Sequence, residues 1–140
     1  MLALLPRRMS LTSTKYVIDA WAWLEYLDGT AAGTKIDEYL KKGEAFTNTV
    51  TIAEVVSRVQ RRGMDANVAL TAIGSLSRIV GITALFAKEV GLLHAAMKKN
   101  RPNFSFGDSF ALYTAKSIRA KVLTGDPDFK GLREAEMIKS

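Results

Sequence analysis

Lys15-Tyr16-Val17-Ile18-Asp19-Ala20-Trp21-Ala22-Trp23-Leu24-Glu25-Tyr26-Leu27-Asp28 opens with a β-rich run that stops on an acid. Apolar residues at helical spacing, Trp23, Leu24 and Leu27, follow at once. A strand that passes into a helix within a residue is the first half of a β-α unit. Asp28-Gly29-Thr30 then reads as a turn. The residues after it ask whether the same unit recurs.

It does. Ala31 to Lys42 is predicted as an amphipathic helix with Ile36, Tyr39 and Leu40 on one face and Gly43 as its C-cap. Ala45 to Asn48 is predicted as a short strand. A helix over Ile52 to Arg62 puts Val55, Val56 and Val59 on one side and turns Arg58, Arg61 and Arg62 away. Asp65 caps a helix that reaches Leu76. Arg78 to Ile82 reads as a strand, Ala84 to Lys99 as a longer helix, and Arg101-Pro102-Asn103 as a break. Phe106 to Arg119 is helical, Lys121 to Thr124 a strand, Pro127 to Leu132 a turn or short helix, and Glu136 to Lys139 a last, weakly signalled strand. Strands alternating with helices give an α/β fold, a mostly parallel sheet with helices on both faces. No repeat or linker divides the chain, so it reads as one domain over residues 15–140 behind an N-terminal extension, residues 1–14. Met9 is a second candidate start.

The chain has 140 residues, 48% of them hydrophobic, enough for one core. It has no cysteine, so disulfides, thiolate metal sites and cysteine nucleophiles are excluded, and a reducing, cytoplasmic setting fits. No apolar run approaches the roughly 20 residues a membrane span needs. A net charge of +6 favours a polyanionic partner such as nucleic acid, although it also serves simple solubility.

Functional groups in an open parallel sheet gather at the carboxyl ends of the strands. Asp19 ends the first strand, and Glu54 falls in the first turn of the helix after the second. Asp108 opens the helix that precedes the Lys121–Thr124 strand, and Asp126 lies two residues beyond that strand. Taken singly, three of them have plain structural explanations. Thr51-Ile52-Ala53-Glu54 and Ser105-Phe106-Gly107-Asp108 have the form of capping boxes, and Asp126 precedes Pro127 as an N-cap would. Asp19 resists this, because it follows an apolar strand that should be buried. Four acids at one sheet edge repel one another unless a cation offsets them. With no His or Cys beside them, oxygen-preferring Mg²⁺ or Mn²⁺ suits the set better than zinc.

The runs Tyr16-Val-Ile-Asp19-Ala, Thr51-Ile-Ala-Glu54-Val, Phe106-Gly-Asp108-Ser-Phe-Ala-Leu and Val122-Leu-Thr124-Gly-Asp126-Pro-Asp128-Phe129 resemble, in order and spacing, those of PIN-domain ribonucleases. The nearest subgroup is the VapC toxins of toxin–antitoxin pairs, and the resemblance spans about residues 15–139. It implies a five-stranded parallel sheet in a three-layer α/β/α sandwich and Mg²⁺- or Mn²⁺-dependent cleavage of RNA. It also implies a cognate VapB-like antitoxin and a homodimer. Asp19, Glu54, Asp108 and Asp126 match the acidic quartet as catalytic and metal-binding residues, with Asp19 and Asp108 foremost as direct ligands. Thr124 matches a supporting hydroxyl, and Asp128 a less constant acid of the surroundings or surface.

Rival readings are a catalytically silent PIN-like module that binds RNA or protein, and a housekeeping PIN nuclease. A haloacid-dehalogenase-type phosphotransferase needs an acid two residues after Asp19, where Trp21 stands. No G-x-G-x-x-G follows the first strand, which excludes a dinucleotide site. Trp23 is expected in the core, Tyr26 or Trp21 partly exposed, and the single histidine, His94, in a structural role. The resemblance also implies an apolar groove for an antitoxin segment near the site, for which the helices from Ala20 and Ile52, with Trp21, are the candidates. Arg58, Arg61, Arg62, Lys98, Lys99, Arg101, Lys116, Arg119 and Lys121 are the candidate phosphate contacts, most of them solvated charges.

Overall fold

The computed structural model describes residues 13–139. Most of the expected extension, residues 1–12, lies outside them. The chain alternates strands and helices: β1 (Lys15–Ile18), α1 (Ala20–Asp28), α2 (Ala31–Lys42), β2 (Glu44–Asn48), α3 (Thr49–Arg61), α4 (Ala66–Leu76), β3 (Arg78–Val80), α5 (Ala84–Lys98), α6 (Phe106–Ile118), β4 (Lys121–Thr124), a 3-10 turn (Pro127–Phe129) and β5 (Ala135–Met137). The five strands are ordered β3-β2-β1-β4-β5 and every neighbouring pair is parallel.

Alternation along β1 divides the core between two faces. Tyr16 and Ile18 enter one cluster with Trp23, Ile36, Val55, Val59 and Ile73, drawn from α1 to α4. Val17 enters the other with Phe104, Leu112, Ala115, Val122 and Phe129, under α5 and α6. Helices therefore cover both faces, giving three α/β/α layers. Right-handed crossovers explain the assignment: β1→β2→β3 progress one way across the sheet, and the chain then returns on the other face to lay down β4 and β5. The direction reverses between β1 and β4, which is where an open α/β sheet forms a crevice at its strand ends.

Trp23 is fully buried, and its indole N–H donates to Thr47 Oγ1 at 3.1 Å. Tyr26 is half-buried, edge-on to it. Several expectations need correction. The strand from Arg78 ends at Val80, not Ile82, and the two helices after it end at Lys98 and Ile118, one residue earlier than expected. The helix after β2 begins at Thr49, not Ile52, and its cap is Asn48, whose Oδ1 accepts from Val50 N at 2.8 Å. Thr51 is buried inside α3, so no Thr51–Glu54 capping box exists, and Glu54 sits in the second turn. An asparagine can accept locally at the strand end and still donate elsewhere. Asn48 Nδ2 donates to Thr114 Oγ1 of α6 at 3.1 Å. The last strand starts at Ala135 rather than Glu136. No helix of the described residues is long and apolar enough to cross a membrane.

Candidate active site

Asp19 follows β1 directly and caps α1, its Oδ1 accepting from Ala22 N at 2.9 Å. That role was not foreseen, and it accounts for one lone pair of a carboxyl only 6% exposed. Burial is the main force on this group and pushes its pKa up to about 7. Hydrogen bonds from Thr124 and Ala22 act the other way, and the charges of Asp126 and Asp108 add to the rise. Thr124 ends β4, the strand beside β1. Its buried hydroxyl serves Asp19 and also accepts from Asp126 N at 2.9 Å. Thr124 thus anchors the Asp126 backbone next to Asp19.

Asp126 caps the 3-10 turn by accepting from Asp128 N at 2.9 Å. The Ser105–Asp108 capping box forms as expected: Ser105 Oγ accepts from Asp108 N and Asp108 Oδ2 from Ser105 N, each at 3.0 Å. This occupies one oxygen of Asp108. Desolvation still raises its pKa, with Asp126 and Asp128 contributing, while Ser105 opposes.

Capping therefore explains how three acids are oriented, but not why they meet. One cleft of about 280 Å³ is lined by Asp19, Glu54, Asp108, Asp126 and Asp128, together with Trp21, Arg58, Asn103 and Ser105. Within it, Asp108, Asp126 and Asp128 each offer an oxygen within 4.8 Å of the others. Asp128 is thus no peripheral acid. The Pro127–Phe129 turn swings it back beside Asp126, and Arg101 holds its carbonyl at 2.8 Å.

Glu54 reaches the cleft from α3. The residue is exposed as a whole, but its carboxylate lies against Gly107, where any Cβ would overlap it. Desolvation raises its pKa, Asp108 adds to the rise, and Arg58 partly offsets it. Gly125 plays the same part for Trp21, whose six-membered ring occupies the space a side chain there would need. Neither glycine was singled out from the sequence. Each takes its meaning from a residue about 50 or 100 positions away, so no local signal marks it. His94 stacks on Phe106, ring centroids 4.0 Å apart, outside the cleft. Of the candidate phosphate contacts, Arg58 alone lines it. Arg62 and Lys116 are paired with Asp28 and Glu134.

Every group in the cleft able to ligate a metal offers an oxygen, mostly carboxylate, and burial raises the pKa of Asp19 among them. That donor set fits a hard divalent cation with octahedral preference. Asp108, Asp126 and Asp128, which offer oxygens within 4.8 Å of one another, would hold it together with Asp19 and Glu54 of the same cleft.

Similar architecture occurs in solved structures. A toxin–antitoxin complex from Klebsiella pneumoniae superposes with a TM-score of 0.66 at 15% identity, over 87% of this chain and 96% of that one. Mycobacterium tuberculosis VapC20, a sarcin–ricin loop cleaving toxin, gives 0.69 at 15% identity, over 89% and 99%. Rickettsia felis VapBC2, bound to a DNA fragment from its promoter, gives 0.66 at 13% identity, over 89% and 97%. At such identities the likeness is one of fold. No curated protein sequence matches the chain. The sequence profile of the PIN domain, however, matches residues 16–135, nearly the whole described chain, and the protein belongs to the PIN domain family.

Proposed function

We propose that the chain is a divalent-metal-dependent endoribonuclease, the toxin of a VapC-type toxin–antitoxin pair. The observation that carries this reading is the convergence of five carboxylates on one cleft at the sheet's switch point. Mutual repulsion makes that arrangement costly unless a cation is its purpose. A bound Mg²⁺ or Mn²⁺ would supply Lewis-acid activation of the phosphodiester and of the attacking water.

The chain's own residues do the rest. Thr124 holds the Asp126 backbone and lowers the pKa of Asp19 by hydrogen bonding. The Ser105 box aims Asp108 into the cleft. Glu54, lifted toward protonation by its surroundings, is suited to take or return a proton near the scissile bond. Arg58 brings a positive charge to the rim for the incoming phosphate.

The partner reading has two supports: the relatives of like fold are described as toxin–antitoxin complexes, and the chain is basic. The VapB-like antitoxin should co-purify from the native source. A homodimer is proposed from the resemblance and suits α5, which carries only one buried residue and exposes Leu85 and Leu92. Light scattering on the purified chain measures it.

The decisive experiment uses partner-free protein stripped of metal by a chelator. Single-stranded RNA should be cleaved only after Mn²⁺ or Mg²⁺ is restored, and Asp19→Asn should abolish cleavage while the protein stays folded. Metal-independent cleavage, or full activity of a clean Asp19→Asn preparation, overturns the assignment.

A further inference from the structure

A second cleft, of about 440 Å³, adjoins the acid cleft, and Ala20, Leu24, Glu54 and Arg58 form a wall of both. The two are one trough. It leaves the carboxylates, runs along α3 and ends at Arg61, over an apolar floor that includes Val50 and Ala53. Glu54, Arg58 and Arg61 are spaced four and three residues apart on one helix, so they form a single stripe along it. The stripe passes from the acids to two cations.

These arginines differ from their neighbour. Arg62 is engaged by Asp28 of α1 at 2.8 Å. Arg61 spends only its Nε, on the Ser57 carbonyl of its own helix at 3.3 Å, and Arg58 forms no ion pair among the described residues. Both guanidinium groups are therefore free to meet an anion. The spacing is also apt: residues three apart on a helix have Cβ atoms about 5–6 Å from each other, close to one nucleotide step of an extended strand.

We propose that this trough is the track of the RNA strand on one side of the scissile bond, with Arg58 and Arg61 contacting successive phosphates and the apolar floor facing ribose and base. The proposal rests on the nuclease reading. Arg58 and Arg61 complement a polyanion. The trough shares a wall with the acid cleft, and a strand lying along it reaches the carboxylates, which favours RNA over an acidic polypeptide.

The test measures binding of a fluorescein-labelled single-stranded oligoribonucleotide, by anisotropy against KCl concentration. It uses full-length, partner-free Asp108→Asn protein as a background that binds without cutting. Each phosphate contact contributes about 0.7 to the slope of log K against log salt for single strands. Arg58→Ala and Arg61→Ala should each lower the slope by about that much. In the active protein each should lower kcat/KM several-fold, and Arg61→Ala, which lies outside the acid cleft, should do so through KM. Arg58→Lys should keep the slope, and Arg62→Ala should alter neither quantity.

Unchanged slopes in Arg58→Ala and Arg61→Ala overturn the track. So does an equal loss in Arg62→Ala, which would mean a diffuse basic surface. Loss of antitoxin binding with RNA binding intact would give the trough to a polypeptide instead. If the wild-type chain cleaves no RNA with Mn²⁺, the nuclease reading fails first. If it cleaves and the slopes hold, only the track fails.

Discussion

The carboxyl of Asp19 is constrained in three ways. It is buried, it caps α1, and its pKa is raised to about 7 in the metal-free chain. An acid whose pKa is higher folded than unfolded binds more protons in the folded state, so stability falls as pH rises between the two values. For Asp19 that window runs from the usual 3.8 to about 7. The metal-free protein should therefore melt higher at pH 5.5 than at pH 7.5, and Asp19→Asn should remove much of the difference, because Asn also caps a helix well. Calorimetry at the two pH values reads this out; a pH-independent melting temperature contradicts it. Gly107 gives a second prediction at this scale. A Cβ there meets only the end of a flexible side chain, Glu54, which can swing away. Alanine also favours a helix over glycine by up to about 1 kcal/mol. Gly107→Ala should thus fold with equal or greater stability yet cleave RNA poorly, since the carboxylate is displaced. Urea denaturation paired with a cleavage assay distinguishes this from a merely structural glycine, whose substitution would lower both.

Among the elements, α3 and α6 matter most, because Glu54 and Asp108 ride on them. Their mutual placement depends on Asn48, fully buried, whose amide caps α3 with one end and donates to Thr114 of α6 with the other. Asn48→Ala removes a cap, typically about 1 kcal/mol. It also strands the buried Thr114 as an acceptor, although that hydroxyl keeps its own bond to Phe110 O. A loss of about 2 kcal/mol in urea-induced unfolding is expected. Asn48→Asp should keep the cap but lose the donor, and so fall between the two. Equal stability of all three proteins would remove Asn48 from this role.

For the molecule as a whole, the sheet order places β1 beside β4 and so sets Asp19, Asp126 and Asp128, with Asp108, around one crevice. A ligand that binds only the folded state stabilises it by mass action. Mn²⁺ should raise the melting temperature in a concentration-dependent way, and more at pH 7.5 than at pH 5.5, where protons compete for Asp19. Differential scanning fluorimetry with Mn²⁺ and with K⁺ at matched ionic strength measures it. A pH-independent shift, or one reproduced by K⁺, speaks against a site built on these carboxylates.

The sequence by itself determined the elements. Apolar periodicity and turn residues set α1, α2 and β4 to the residue, because these signals are local and each helix or strand buries one face. It also supplied the acids of the cleft, since strand ends and helix starts share an edge in any β-α repeat. Tertiary structure decided what locality cannot encode. Asn48 rather than Thr51 caps α3, because its second bond reaches α6 across 66 residues. Asp128 joins Asp108 and Asp126, because a 3-10 turn folds it inward. Trp21 and Trp23 part company, one over Gly125 at the cleft and one in the core, because successive odd positions on a helix point about 200° apart. Strand order did the rest: the register of β1 on β4 turns acids scattered over more than 100 residues into one site.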